Sequence, residues 1–315
     1  MKNKDLKYPY RCGRVKAASE KRIKKVSGRK TMSFSVTRAI FTAFSRFSII
    51  GTSIKLLHVI IHDFFLLQFF RKFNLTKIPI KHVDHELDIK VPFEPQRVGL
   101  YMQFIKMWIA PLSMLSKRFG MWNSVPLVRE FLIYIRLTYK GAAEVYKQCL
   151  TTTNRPDYND DKLFRLIHRS DPHYCCVPSL HIAIVSLTYA WYRMIFEREN
   201  FTKEEKDMWN KDFYNQALAI SETVLYIKQH SVNCIPAALY MITYKFPELF
   251  SSEDAHNFID NLFLNAPSIK KSDREKIIEH IHSTYTKFSE QGKKAEDWTK
   301  PIICWLKTYE PYCAK

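Results

Sequence analysis

The sequence predicts an all-α fold, a bundle of helices. Three observations indicate this class: apolar residues recur at helical spacing through long segments, only 7 glycines occur in 315 residues, and no Asn-Gly or Asp-Gly hairpin signal is present. Hydrophobic residues make up 46% of the chain, which is enough for a large core and excludes a disordered protein.

Charge and apolar pattern divide the chain into three predicted regions. Residues 1–31 form a basic arm, for which a solvated tail and a tether to an anionic membrane are both open interpretations. Residues 32–250 form the helical domain, and residues 251–315 a charged helical extension. The arm lacks the apolar segment of a secretory signal, and the seven cysteines are irregularly spaced. We therefore expect reduced thiols in a reducing compartment.

The first half of the helical domain contains several predicted elements. Residues 33–73 carry Phe, Leu and Ile at helical spacing, so they form either a core helix pair or an interfacial helix. Three prolines break this pattern over residues 74–98, which we interpret as a connection. The elements that follow are two helices, a polar loop and a short helix, over residues 98–119, 125–150, 151–162 and 163–169.

The second half contains the most apolar predicted helix, over residues 177–196, with Pro178 in its first turn. Pro236 argues against one uninterrupted helix in the next apolar run. One helix therefore ends near Lys228 and the next begins within a few residues, which leaves His230 at the junction. Other helix starts are predicted at capping pairs, namely Thr202 with Glu205, Ser251 with Asp254, and Ser272 with Glu275.

The net charge of +18, from 49 Lys and Arg against 31 Asp and Glu, favours an anionic partner such as a phospholipid surface, a phosphorylated substrate or a nucleic acid. Because the basic residues are dispersed and no nucleic-acid motif is present, we expect no nucleic-acid partner. Three segments approach the length of a membrane span but carry charged or polar side chains: residues 49–70, 98–115 and 177–196. We expect a cytoplasmic or peripherally membrane-associated protein, with a polytopic membrane protein as the alternative.

Three short motifs occur in an order that suits chemistry on phosphate. They are Asn-Arg-Pro at residues 154–156, Pro-Ser-Leu-His at 178–181 and Lys-Gln-His at 228–230. Arg155 and Lys228 can neutralise phosphate oxygens, and Ser179, at the positive end of the apolar helix, can hold them. One imidazole can attack phosphorus while another protonates the leaving oxygen. The alternative is that His181 and His230 are unrelated core histidines.

This order of motifs resembles the type-2 phosphatidic acid phosphatase and vanadium haloperoxidase superfamily, above all its inositol phosphorylceramide synthase-like branch. The likeness covers residues 151–244 and includes the Asp-Pro pair that precedes Pro-Ser-Leu-His. It implies a helical bundle of that superfamily's type, with a phosphate pocket among helix ends and no metal or other cofactor. It also implies a phosphomonoesterase that acts on a lipid phosphate through a phosphohistidine intermediate. Transfer of a lipid head group is the alternative reaction.

The resemblance assigns roles to seven residues. His230 is the expected nucleophile and His181 the expected general acid. The expected phosphate contacts are Arg155, Lys228, Ser179, Leu180 and Lys147. Lys147 lies one residue farther from the Arg-Pro pair than the commonest spacing, and Lys228 replaces the usual arginine.

One position departs from the superfamily's pattern. An aspartate usually follows the nucleophile by four residues and orients its imidazole, but Cys234 occupies that position here. A thiol is a poor substitute for a carboxylate hydrogen-bonded to an imidazole. Asn233, Asp171 and Glu222 are the candidates for compensation. Without it, the chain is a catalytically weakened relative that binds phosphate or lipid.

Two histidine groups raise the question of a metal site. Each group has ligands at suitable spacing but lacks an ordered third partner, so we expect no zinc site. The groups are His58, His62 and Asp63, and His82, Asp84 and His85. A membrane scaffold anchored by the basic arm is the remaining non-enzymatic alternative.

Overall fold

A computed structural model describes residues 12–312, with 67% helix and 2% strand, and confirms the predicted all-α class. The first eleven residues of the basic arm and residues 313–315, including Cys313, lie outside the described part. The six cysteines within it are unpaired thiols. The α-helices of residues 12–312 are α1 (Glu20–Ile23), α2 (Val36–Ala43), α3 (Phe47–Val59), α4 (Leu67–Lys72), α5 (Val98–Met102), α6 (Phe104–Ile109), α7 (Leu112–Phe119), α8 (Met121–Tyr146), α9 (Lys162–Ser170), α10 (Leu180–Arg198), α11 (Lys203–Tyr226), α12 (Cys234–Lys245), α13 (Ser252–Asn261), α14 (Lys271–Lys294) and α15 (Lys300–Thr308).

Helix α10 lies at the centre of the bundle and packs against α6, α8, α11 and α12. Its residues are apolar on nearly all sides and most are buried, as expected of a helix inside a core. It begins at Leu180 rather than at residue 177, so the prediction that Pro178 lies in its first turn is wrong. The backbone of Ser179 is extended and its hydroxyl accepts the Ile182 N–H, which makes Ser179 the N-cap.

The predicted helices before α10 are more broken than the apolar pattern suggests. The segment 33–73 contains α2, α3 and α4, with a π-helical stretch, Ile60–Leu66, joining the last two. The segment 98–119 contains α5, α6 and α7, and Pro111 precedes the last of these because proline interrupts the backbone hydrogen bonds of a helix. Helix α8 continues through Pro126.

Capping residues predict two of the later helix starts correctly. Reciprocal side-chain and backbone hydrogen bonds form capping boxes between Thr202 and Glu205 and between Ser251 and Asp254. The third predicted start, at Ser272, is wrong. The carbonyl of Lys270 already accepts the N–H groups of residues 273 and 274, so α14 begins one residue before Ser272.

Two short strands form within segments predicted to be irregular. Strand β1 (Ile80–His82) pairs in parallel with β2 (Leu150–Thr152). Thr151 also forms a bridge with Cys175, and its hydroxyl accepts the Val177 N–H at 2.7 Å. These contacts bring the Asn-Arg-Pro motif beside the segment that leads into α10.

The C-terminal extension packs against the helical domain. Helix α14 lies along α12 and also contacts α13 and α15. The hydroxyl of Tyr309 donates to the Asp84 carbonyl at 2.7 Å and accepts from Asn233 Nδ2 at 2.8 Å. The extension therefore holds the loop after β1 and the start of α12 in place.

Two helical stretches of the described residues are long and apolar enough to cross a membrane. They are Phe47–Lys72 and Pro95–Phe119. In the most apolar window of each stretch, 22% of the first and 61% of the second is buried in the protein. The third predicted segment, residues 177–196, is not among them and belongs to the buried centre of the bundle. The outer face of Phe47–Lys72 remains uncovered, with Phe47 itself 97% exposed.

Candidate active site

The first turn of α10 brings a hydroxyl, an imidazole and free backbone N–H groups to one place. Ser179 is the N-cap, and Leu180 and His181 are the first two helical residues. The hydroxyl of Tyr146 donates to the Pro178 carbonyl at 2.5 Å and holds this turn from behind. Because the first N–H groups of a helix have no acceptor within it, this end is suited to bind an anion.

His230 reaches the same place through the turn that ends α11. Lys228 adopts a left-handed conformation with φ +55°. Its N–H donates to the Leu225 carbonyl, and the Gln229 N–H donates to the Val224 carbonyl. This pair of bonds is a Schellman motif, which closes the helix and reverses the chain. The reversal turns His230 back towards α10.

The imidazole of His230 contacts both functional side chains of the α10 turn. Its Nε2 lies 3.4 Å from Ser179 Oγ, and the centre of its ring lies 5.5 Å from that of His181. His230 is 7% exposed, while His181 is only partly buried. The structure therefore brings together both predicted catalytic histidines and the predicted phosphate-binding serine.

Arg155 lies beside these groups and is held by Asp171. One terminal nitrogen of Arg155 donates to the Asp171 carbonyl at 3.0 Å and the other to its carboxylate at 3.1 Å. The second carboxylate oxygen accepts the His173 N–H. The charge of Arg155 lowers the pKa of His230, which indicates that the guanidinium acts on the histidine pocket. Its Nε is buried and has no hydrogen-bond partner among residues 12–312.

Three further residues lie next to the two histidines, and the sequence motifs do not identify them. The rings of Tyr101 and Phe104 lie 4.7 and 4.5 Å, centre to centre, from that of His181. His173 lies 6.4 Å from His230 between ring centres, and its Nε2 is 2.7 Å from Thr153 Oγ1. In the sequence, Tyr101 and Phe104 are marked only by their helical spacing, which does not distinguish them from core residues. His173 directly follows the Asp-Pro pair, and this position could have identified it.

Burial keeps the three imidazoles of the pocket uncharged. It lowers the pKa of His230 well below its usual range. The charge of Arg155, and that of His181 whenever it is protonated, lower this pKa further, whereas a hydrogen bond to the Cys176 backbone raises it. Burial lowers the pKa of His181 to about 4. Burial and Arg155 lower the pKa of His173 in the same way. Neutral imidazoles can act as nucleophiles and bases near pH 7.

The imidazole of His230 lacks the orienting partner that the superfamily pattern would supply. Its Nδ1 is buried and meets no partner at hydrogen-bonding geometry among residues 12–312, although the Cys176 backbone is close enough to the imidazole to raise its pKa. The thiol of Cys234 instead accepts the Ser231 N–H at 3.4 Å. None of the three candidates for compensation contacts His230: Asn233 bonds to Val83, His280 and Tyr309, Asp171 to Arg155 and His173, and Glu222 to Phe263.

Two predicted phosphate contacts are not brought to the pocket. The ammonium of Lys228 donates to the carbonyls of Asp88 and Val91, in the segment that follows β1. Lys147 lies on the surface, where its ammonium is 2.6 Å from the carboxylate of Asp63. Both ammonium groups are thus engaged by other segments of the protein.

No cluster of three or more His, Cys, Asp or Glu that could hold a metal ion is present among residues 12–312. No protein-family model, curated protein or solved structure matches this chain. The pocket residues and their geometry therefore carry what can be inferred about function.

Proposed function

We propose that this chain is a metal-independent phosphomonoesterase that transfers a phosphoryl group first to His230 and then to water. One observation carries the proposal: two neutral imidazoles, a hydroxyl and a free helix N-terminus converge within one pocket, with a guanidinium beside them. The resemblance of the three motifs to the type-2 phosphatidic acid phosphatase and vanadium haloperoxidase superfamily supports the same chemistry.

Each group has a distinct role in the proposed reaction. Nε2 of His230 attacks phosphorus, and the bond from phosphorus to the ester oxygen breaks as His181 donates a proton to that oxygen. A water molecule then attacks the phosphohistidine while His181 takes its proton, which releases inorganic phosphate and restores both imidazoles. Arg155, Ser179 and the N–H groups of the α10 turn stabilise the charge on the phosphoryl oxygens.

The protonation of His181 needs the substrate. With a pKa of about 4, His181 is neutral near pH 7 in the empty pocket. A phosphate group beside it favours the charged imidazole and raises this pKa, since an opposite charge stabilises the protonated form. Alternatively, the substrate enters as its monoanion and carries the proton itself, because the second pKa of a phosphate ester is about 6.

A lipid phosphate is the proposed substrate, acted on by a protein attached peripherally to an anionic membrane. The uncovered apolar face of Phe47–Lys72 and the net charge of +18 support this setting. The same phosphohistidine can pass its phosphoryl group to a lipid alcohol instead of water, which defines the phosphotransferase alternative. The unpartnered Nδ1 of His230 favours a second candidate function, a weakened relative that binds phosphate without efficient turnover.

The test is phosphate release from phosphatidic acid, lysophosphatidic acid, glycerol phosphate and p-nitrophenyl phosphate, with lipids presented in mixed micelles. We expect release that vanadate inhibits competitively and EDTA leaves unchanged. Rapid acid-free quenching with ³²P-labelled substrate should trap an acid-labile, base-stable label that His230→Ala eliminates. Turnover without such a label, or full activity of His230→Ala, contradicts the mechanism. Binding of vanadate without turnover identifies the weakened relative.

A further inference from the structure

Five cationic side chains line one cavity on the side of the bundle formed by α1, α2 and α7. The cavity has a volume of about 350 Å³, within the range of small-ligand sites. We call it the basic cleft, and its lining residues are Arg22, Lys25, Arg29, Arg38 and Lys117. It shares no residue with the histidine pocket.

Neutral groups, rather than carboxylates, hold the arginines of the basic cleft in place. Arg29 donates to the hydroxyl and carbonyl of Ser33, and Nε of Arg38 donates to Ser116 Oγ at 3.0 Å. The guanidinium of Arg29 also lies 4.5 Å from the ring centre of the buried Phe34. An arginine has five N–H donors, so these bonds orient each head group and leave donors free for a ligand.

Ion pairing among residues 12–312 does not neutralise the basic cleft. None of its five cations forms an ion pair with any residue between 12 and 312. The sequence outside that part contains a single acidic side chain, Asp5. The pKa of Lys117 is lowered first by burial, and the neighbouring charges of Arg29 and Arg38 lower it further.

We propose that the basic cleft binds an anion carrying at least two phosphate groups. A phosphate monoester carries about −1.5 to −2 charges at pH 7, so two of them match most of the five positive charges where one cannot. Arginine forks bind phosphate oxygens in pairs and lysines add point charges, and the basic cleft offers both kinds of side chain.

Such a bisphosphate can be a free ester or the head group of a lipid. Helix α2, which carries Arg38, also exposes Ile40 and Phe41, with Phe41 63% exposed, and Phe44 is exposed directly after its last residue. A head group in the basic cleft would therefore lie next to side chains that can enter the acyl region of a bilayer. The two sources are separated by testing a soluble bisphosphate and a membrane-bound one.

The test uses the whole chain with two probes. The first is inorganic pyrophosphate, titrated calorimetrically against inorganic phosphate. The second is flotation with phosphatidylcholine vesicles that contain phosphatidylinositol 4,5-bisphosphate, compared with vesicles of equal charge from phosphatidylserine. We expect pyrophosphate to bind at least tenfold more tightly than phosphate, or the phosphatidylinositol 4,5-bisphosphate vesicles at least tenfold more tightly than the phosphatidylserine vesicles, or both. A preference seen only with pyrophosphate identifies a soluble anion as the ligand. A preference seen only with the vesicles identifies a lipid head group.

Matched charge removals locate the binding. Lys25→Gln/Lys117→Gln removes two cations from the basic cleft, and Lys276→Gln/Lys287→Gln removes two exposed lysines of α14. We expect the first pair to weaken bisphosphate binding at least tenfold and to keep or raise the melting temperature, because repulsion is relieved. The second pair should change binding less than twofold. Equal losses of binding in both variants, or no preference for the bisphosphate probe in either arm, overturns the proposal. The ammonium of Lys117 lies 5.7 Å from the ring centre of Phe34, so the single variant Lys25→Glu repeats the binding test without altering that contact.

Discussion

The Nε2 of His230 lies 3.4 Å from the hydroxyl oxygen of Ser179, although 51 residues separate them in the chain. This contact joins the turn after α11 to the first turn of α10. It gives the proposed nucleophile a neighbour that can also hold a phosphoryl oxygen. Both residues are buried, and each is held in place by the end of a helix.

The two histidines of the proposed mechanism should respond differently to the leaving group. We expect His181→Ala to lower kcat/KM for an alkyl phosphate by about 10²- to 10⁴-fold, since alkoxide departure needs a proton. For p-nitrophenyl phosphate the loss should be at least tenfold smaller, because p-nitrophenolate leaves unprotonated. His230→Ala should abolish both activities. The control is His256→Ala, on α13. Equal losses of His181→Ala on both substrates would exclude a general-acid role.

Restoring a carboxylate after the nucleophile should increase turnover. Cys234→Asp introduces an acid at the first residue of α12, four residues after His230, where the superfamily pattern has its aspartate. Since loss of the orienting aspartate costs about 10⁴-fold in a serine protease triad, we expect a gain in kcat of ~10- to 100-fold. Cys234→Asn, which has the same shape without the charge, is the control. A gain in kcat that is equal in both variants means that the shape of residue 234, and not its charge, limits turnover in the wild-type chain.

The buried imidazoles predict how stability depends on pH. The folded-state pKa values of His173, His181 and His230 lie below the ordinary 6.5, so the unfolded chain takes up protons first as pH falls. Their contribution to the free energy of unfolding is therefore complete above pH 6.5 and is lost as pH falls towards 4. Urea denaturation between pH 7.5 and 4.5 should show this loss, and His230→Gln should reduce its slope. An identical slope in the variant contradicts the assigned pKa direction.

Lys228 should contribute to stability rather than to catalysis. Its ammonium donates to the carbonyls of Asp88 and Val91, so Lys228→Met leaves two acceptors without a donor and costs roughly 1–3 kcal/mol. Activity per folded molecule should stay within twofold of wild type. Lys206→Met, which removes a surface ion pair with Glu197, should cost less than about 1 kcal/mol. If Lys228→Met leaves stability unchanged but abolishes activity, the prediction is wrong and Lys228 binds phosphate, as the resemblance implies.

Local sequence signals predicted much of the helical fold. The capping pairs at Thr202 and Ser251 fixed two helix starts, because their hydrogen bonds join residues three apart. The strand pair 80–82 with 150–152 was not predictable, since three-residue strands carry little pattern and their partner is about 70 residues away. The same pairing places Arg155, so its position beside the histidines had to come from the fold.

The sequence by itself determined the helical class, the apolar helix behind Pro-Ser-Leu-His and the position of His181 in its first turn. These follow from apolar periodicity and capping over a few residues. Only the tertiary structure decided that His230 faces Ser179, that Tyr101 and Phe104 line the pocket, and that Lys228 and Lys147 point elsewhere. Those outcomes depend on contacts between segments that are distant in the sequence. The spacing of residues along the chain does not predict the direction in which a side chain points from a turn.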